Sequence, residues 1–229
     1  MGTQNSSQIV MKAVFPAFDG FCLTTPETVT ETAAVLDAKR VLDIAAALAL
    51  IVLLCPLLAL VTLAIMAESR GPVIFCQRRT GLNGRTFGIF KFRSMRVLED
   101  GAAVVQARKD DARITRVGRL IRKLSIDELP QLFNVLSGDM SLVGPRPHAV
   151  AHDEQYGAVI ANYATRFQVK PGITGWAQVN GARGATPTLD IMQARIDLDA
   201  WYVAHHSLAL DLKILARTPL AVLNMRNAH

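Results

Sequence analysis

Charge is scarce in this chain. Asp, Glu, Lys and Arg together make up 19% of 229 residues, against roughly 25% in an ordinary soluble domain. That shortage, with abundant aliphatics, excludes a chain disordered along its whole length. Cysteine is scarcer still: Cys22, Cys55 and Cys76 form an odd, scattered set without metal-ligand spacing. Neither a disulfide scaffold nor a zinc site is expected, and a reducing compartment suits such thiols. Aromatics reach only 6%, and none interleave with the arginines to make a stacking platform, so nucleic acid is not an expected partner. The length allows one domain and a short appendage, and excludes a multidomain array.

What is present is apolar and locally basic. Hydrophobic residues make up 51% of the chain, and the mean hydropathy of +0.26 asks for a large core or a surface that meets lipid. Lys and Arg number 25 against 19 acids, a net charge of +6, which favours anionic partners.

From Ile44 to Ala67 the chain runs 24 residues without a charge. At 1.5 Å per residue a helix there measures roughly 36 Å, enough to cross a bilayer core of about 30 Å. A polar segment containing Thr24, Thr25, Thr28, Thr30 and Thr32 precedes it, so it is not a secretory signal. Two features argue against a straight crossing. Pro56, beside Cys55, removes a backbone hydrogen bond near the middle and bends the helix. Lys39 and Arg40 flank one end, while Arg70, Arg78, Arg79 and Arg85 follow the other, and basic flanks prefer the cytoplasm. We expect a re-entrant helix over 37–69, broken at Cys55-Pro56, between a flexible tail over 1–36 and a cytoplasmic membrane-associated domain over 70–229. A buried core helix is the alternative.

Between Arg70 and Lys123 lie 14 of the 25 basic residues and only four acids, immediately after the apolar run, where anionic headgroups attract them. Ile114, Val117, Leu120, Ile121 and Leu124 recur at helical spacing, with Arg113, Arg116, Arg119, Arg122 and Lys123 on the remaining face. This is the pattern of a basic interfacial helix, or of an ordinary solvated one. Leu208 to Leu223 also reads as an amphipathic helix at an interface. Upstream, Val73–Arg78 and Thr86–Ser94 read as two strands joined at Asn83-Gly84. Alternation along the second puts Lys91 and Arg93 on one side, where they resemble a clamp for a diphosphate. The fold expected is therefore α/β, mostly helical with a small β element.

Ser125-Ile126-Asp127-Glu128 has the form of a capping box with Ser125 as N-cap, although Pro130 allows the helix to start there instead. Either placement sets Asp127 and Glu128 near a helix N-terminus, where both tend to stay ionised. An ionised aspartate can attack phosphorus if cations and a divalent metal neutralise the phosphoryl oxygens it approaches. A glycosidase pair is excluded, because adjacent residues of a helical turn diverge instead of flanking a sugar. His205 and His206 lack a third ligand and read as packing residues. Asp199 reads as a paired acid that could face the site, and Trp176 and Trp201 as core or headgroup-level residues.

Four strings now stand in order: Lys91-Phe92-Arg93-Ser94-Met95, Ser125 to Leu132, Gly138 to Pro147, and Pro171 to Gly181. Together they resemble the bacterial sugar transferases, the monotopic phosphoglycosyl transferases, over about Asp37 to Val222, and in overall form the ExoY type that starts exopolysaccharide assembly. The resemblance implies transfer of hexose 1-phosphate, from UDP-galactose or UDP-glucose, to undecaprenyl phosphate with release of UMP. Asp127 then matches the nucleophile that forms a covalent phosphosugar, and Glu128 the residue that helps hold Mg²⁺. Pro145, Arg146 and Pro147 match the nucleotide-binding loop, while Arg122, Lys91 and Arg93 take phosphate. The family's re-entrant helix breaks at a Ser-Pro pair, here Cys55-Pro56. The resemblance also implies the cytoplasmic face of the inner membrane, lipid as a partner, and room for a homo-oligomer. The rivals are a non-catalytic assembly factor and a single-displacement enzyme using Asp127 as general base.

Overall fold

A computed structural model describes residues 38–96, 111–184 and 186–223. The tail expected over 1–36 lies outside them. The first element, α1 (Ala38–Glu68), carries the apolar run and continues as one helix through Pro56. Its inward stripe is Asp43, Ala47, Leu58, Val61 and Ile65, all buried, at spacings that keep one helical face on the rest of the protein. The opposite face is bare: Val52 and Leu53 are more than 70% exposed, and Leu60, Leu63 and Met66 also face outward.

Both ends of α1 are tied to the same domain. Near the start, Lys39 donates to the Val143 carbonyl and pairs with Asp211, Arg40 donates to the Val135 and Leu136 carbonyls, and Asp43 accepts from Ser141 Oγ and Leu142 N–H. At the other end the Glu68 carboxylate accepts the N–H groups of Arg116 and Val117 at 2.6 and 2.9 Å. Those donors open α2 (Arg116–Lys123), where Thr115 also caps Gly118 N–H.

The expected hairpin is present as β1 (Ile74–Thr80) and β2 (Thr86–Phe92), antiparallel with Thr80 opposite Thr86. Asn83 and Gly84 both take positive φ in the connection, as a tight turn requires. The second strand ends at Phe92, two residues short of the expected Ser94. Cys55 is free and exposed.

Next come α3 (Gln131–Ser137), β3 (Ser141–Val143), α4 (Val150–Gly157), β4 (Gly172–Thr174), α5 (Trp176–Val179), α6 (Leu189–His205) and α7 (Leu208–Leu223). β3 and β4 pair in parallel. The approach there is so close that a Cβ on Gly144 would lie 2.3 Å from the Lys170 carbonyl, and the chain leaves β3 directly into Pro145-Arg146-Pro147. Asn134 docks α3 on the hairpin: its side chain accepts from Phe90 N–H and donates to the Gly88 carbonyl. Phe87, Ile89, Leu132, Val135, Met140, Leu142, Tyr202 and Ile214 form the core beneath. The architecture is thus mostly helical with two small sheets.

Candidate active site

The segment between α2 and α3 is not a capped helical start. Ser125 sits in the left-handed region at φ 55°, its side chain caps nothing, and Ile126–Glu128 form a single 3-10 turn. Pro130 precedes the first residue of α3, which is the alternative that a proline at this position allowed. The capping-box reading fails because Pro130 fixes where α3 begins and leaves Ser125 outside it.

The 3-10 turn points the two carboxylates into a cationic enclosure assembled from three parts of the chain. Glu128 accepts from Lys91 Nζ of β2 at 3.0 Å and from both Nη atoms of Arg146, one at 2.9 Å and the other shorter. Such a forked pair is stronger and more directional than a single contact. Burial alone would raise the Glu128 carboxyl, but Arg146 and then Lys91 overcome it and hold the group well below the usual range. Glu128 in turn keeps Arg146 firmly charged. Burial lowers Lys91, with Glu128 opposing.

Asp127 behaves differently. It is buried, and burial first, then repulsion from Glu128, push its carboxyl up to about 6 while Lys91, Arg122 and Arg146 pull it down. The expectation that both acids stay fully ionised therefore holds for Glu128 and is relaxed for Asp127. Arg122, at the end of α2, keeps its guanidinium near Met95 Sδ and within electrostatic reach of Asp127.

The structure does not bring Arg93 into this group. Its guanidinium is buried and donates to the Ser69 carbonyl, Ser69 Oγ and the Arg70 carbonyl, just past the end of α1. Alternation carries Lys91 to the enclosure but stops with the strand at Phe92, and the unpaired carbonyls closing a long helix recruit the next cation. The structure thus separates the pair: Lys91 faces the carboxylates and Arg93 does not.

Two arginines without a sequence signal complete the surroundings. Arg166, 3% exposed, donates to the Arg146 carbonyl and holds the Pro-Arg-Pro backbone from behind; it also pairs with Asp199 at 3.2 Å and with Asp153. Asp199 is the paired acid expected, and burial pushes it up to about 6. His148 accepts from Arg166 at Nδ1 and is kept neutral by burial, then by that cation. Arg183 donates to Ser125 Oγ. Pro145, Arg146, Pro147 and Arg166 line a small cavity with Thr80, Gly81 and Phe167. His205 and His206 bond backbone carbonyls, and Trp201 stacks between Trp176 and His205.

Chemically, the enclosure offers one buried carboxylate of raised basicity next to another that is already neutralised, with several cations around both. Among the described residues no three acids, histidines or cysteines gather to hold a metal. Magnesium is commonly held by one or two carboxylates plus substrate phosphate oxygens, and a carboxylate bonded to cations keeps further lone pairs. Asp127 and Glu128 fit that limited donor set.

Comparisons with known proteins identify the family. Residues 34–225 match the model of a protein family described as bacterial sugar transferase. A Caulobacter vibrioides protein named UDP-glucose:undecaprenyl-phosphate glucose-1-phosphate transferase is 56% identical over 191 residues, 83% of this chain and 72% of that one. An Escherichia coli protein of the same name is 50% identical over 180 residues, 79% of this chain but only 39% of its own length. The exopolysaccharide production protein PSS of Rhizobium leguminosarum is 43% identical over 189 residues, covering 81% of this chain and 94% of that one.

Proposed function

The chain belongs to the bacterial sugar transferase family, and from that premise we propose that it transfers hexose 1-phosphate from a UDP-sugar to undecaprenyl phosphate, beginning polysaccharide synthesis. The observation that carries the mechanism is the buried Asp127 beside a Glu128 already neutralised by Arg146 and Lys91. A carboxylate approaching a diphosphate meets like charge; here the cations that offset it are built in, and Lys91, Arg122 and Arg146 pull Asp127 toward the ionised form against burial and Glu128.

In the first half-reaction an Asp127 oxygen attacks the sugar-bearing phosphorus. The bond from that phosphorus to the bridging oxygen breaks, and UMP leaves with the electron pair. Lys91, Arg122 and Arg146 offset the charge of the phosphoryl oxygens, and the Pro145-Arg146-Pro147 loop faces the nucleotide. In the second half-reaction a phosphate oxygen of undecaprenyl phosphate attacks the same phosphorus, the bond to Asp127 breaks, and the lipid diphosphosugar departs. Glu128 would help hold Mg²⁺, which when bound would supply further charge neutralisation. Two of the relatives above are named for UDP-glucose, which favours glucose over galactose as the hexose.

The same reading places the domain on the cytoplasmic face of the inner membrane with α1 dipping into one leaflet. Its support is the tethering of both helix ends to one domain, Lys39 and Arg40 at one and Glu68 at the other. An upright crossing would carry one set of those charged contacts into or across the hydrocarbon. The exposed leucines Leu120 of α2, Leu124 just after it, and Leu208, Leu212 and Leu220 of α7 suit the interfacial role. The test of the chemistry is to incubate the full chain with UDP-glucose labelled in the sugar, without lipid acceptor. Label retained on the protein, and exchange of labelled UMP into UDP-glucose, are expected; UMP release that occurs only with acceptor present would establish the single-displacement rival instead.

A further inference from the structure

The corner that aims the carboxylate pair is held by an arginine from a distant part of the chain. Ser125 lies at φ 55°, ψ 22°, a conformation that costs a non-glycine residue about 1 kcal/mol and persists only where surrounding contacts enforce it. Its N–H donates to the Arg122 carbonyl, closing α2, and its carbonyl accepts Glu128 N–H, opening the 3-10 turn. Every torsion between Ser125 and Asp127 therefore sets where the Asp127 oxygen points. Among the described residues the Ser125 hydroxyl accepts from Arg183 Nη2. The other arm of the same fork, Nη1, reaches the Ala221 carbonyl near the end of α7 at 3.4 Å. With both arms engaged on protein atoms, Arg183 is arranged to hold a position and not to grip substrate.

We propose that Arg183 is a positioning residue for the transfer step: bridging α7 and the Ser125 hydroxyl, it keeps the left-handed corner that directs Asp127 at the phosphorus. The inference rests on the phosphoglycosyl transfer reading. Displacement at phosphorus needs the attacking oxygen in line with the leaving one, and a misplacement of about 1 Å can cost on the order of a hundredfold in rate. The contact thus affects how fast bound substrate reacts more than how tightly it binds.

The experiment uses the full chain in detergent or lipid nanodiscs, following UMP release from UDP-glucose. Ser125→Gly is the central variant, because it deletes the hydroxyl that Arg183 holds and leaves a residue that enters and leaves the left-handed corner freely, so the restraint is lost without added strain. It is expected to keep or raise the melting temperature yet lose about tenfold or more in kcat, with KM for UDP-glucose within about threefold of wild type. Arg183→Met should lose as much, and the double variant no more than the worse single one, since both delete one contact. Arg183→Lys, which can reach one acceptor but not both, should fall between. Wild-type kcat in Ser125→Gly, or losses that multiply in the double variant, would overturn the proposal. If the Arg183 variants do not fold, Ser125→Gly and Ser125→Ala decide it. A wild-type protein that releases no UMP from any UDP-sugar overturns the function itself, an outcome distinct from unaltered variants of an active enzyme.

Discussion

Protonation separates the adjacent acids. With Asp127 raised to about 6, the rate of protein labelling from UDP-glucose should fall as pH drops through about 6, tracking loss of the ionised nucleophile; a rate unchanged from pH 7 to pH 5 would contradict the assignment. The linkage to stability runs in opposite directions for the pair. Asp127, raised in the folded state, contributes stability that is full below its unfolded value of 3.8 and lost as pH climbs through about 6. Glu128, depressed by its cations, contributes above its unfolded value of 4.5 and loses that contribution at lower pH. Asp127→Asn should therefore fold at least as well as wild type at neutral pH while labelling falls about a thousandfold or more; retained turnover would refute the nucleophile. Asp127, Glu128, Lys91, Arg122 and Arg146 were legible because their strings are local and chemically marked. Arg166 and Arg183 were not, since each acts on residues twenty or more positions away, joined only by the fold.

Among the elements, the apolar helix, the hairpin and α2 declared themselves through an uncharged run, an Asn-Gly turn and helical periodicity. The three-residue strands β3 and β4 did not: they are too short to show alternation, and their parallel pairing spans a long intervening stretch. Arg93 shows how an element boundary decides a residue's role. Ending β2 at Phe92 turns an expected phosphate ligand into the group that satisfies Ser69 and Arg70 carbonyls. Arg93→Met is accordingly expected to lower stability by about 1–3 kcal/mol, the range for stranding buried partners of a charged donor, without changing KM for UDP-glucose. Lys91→Met should instead raise KM or lower kcat with a smaller loss of stability, because Glu128 keeps Arg146. Thermal unfolding and UMP-release kinetics on the two variants discriminate; a KM defect in Arg93→Met would return that residue to the site.

At the scale of the whole molecule, a lipid acceptor confined to the bilayer and a nucleotide sugar arriving from water can meet only at the interface. On the proposed reading the outward face of α1 supplies the contact with lipid. Cys55, free and exposed on that helix next to Pro56, reports on it without any substitution, while Val41 and Met66, exposed near the two ends, report on sidedness. In sealed inverted membrane vesicles, whose cytoplasmic face is outward, a membrane-impermeant maleimide should leave Cys55 unmodified until detergent is added. Cysteines placed by Val41→Cys and Met66→Cys should both react before detergent, as read from modified peptides by mass spectrometry. Reaction of only one end would establish a full crossing, and with it the failure of the half-inserted helix. Immediate modification of Cys55 would mean that this face of α1 meets water and not lipid.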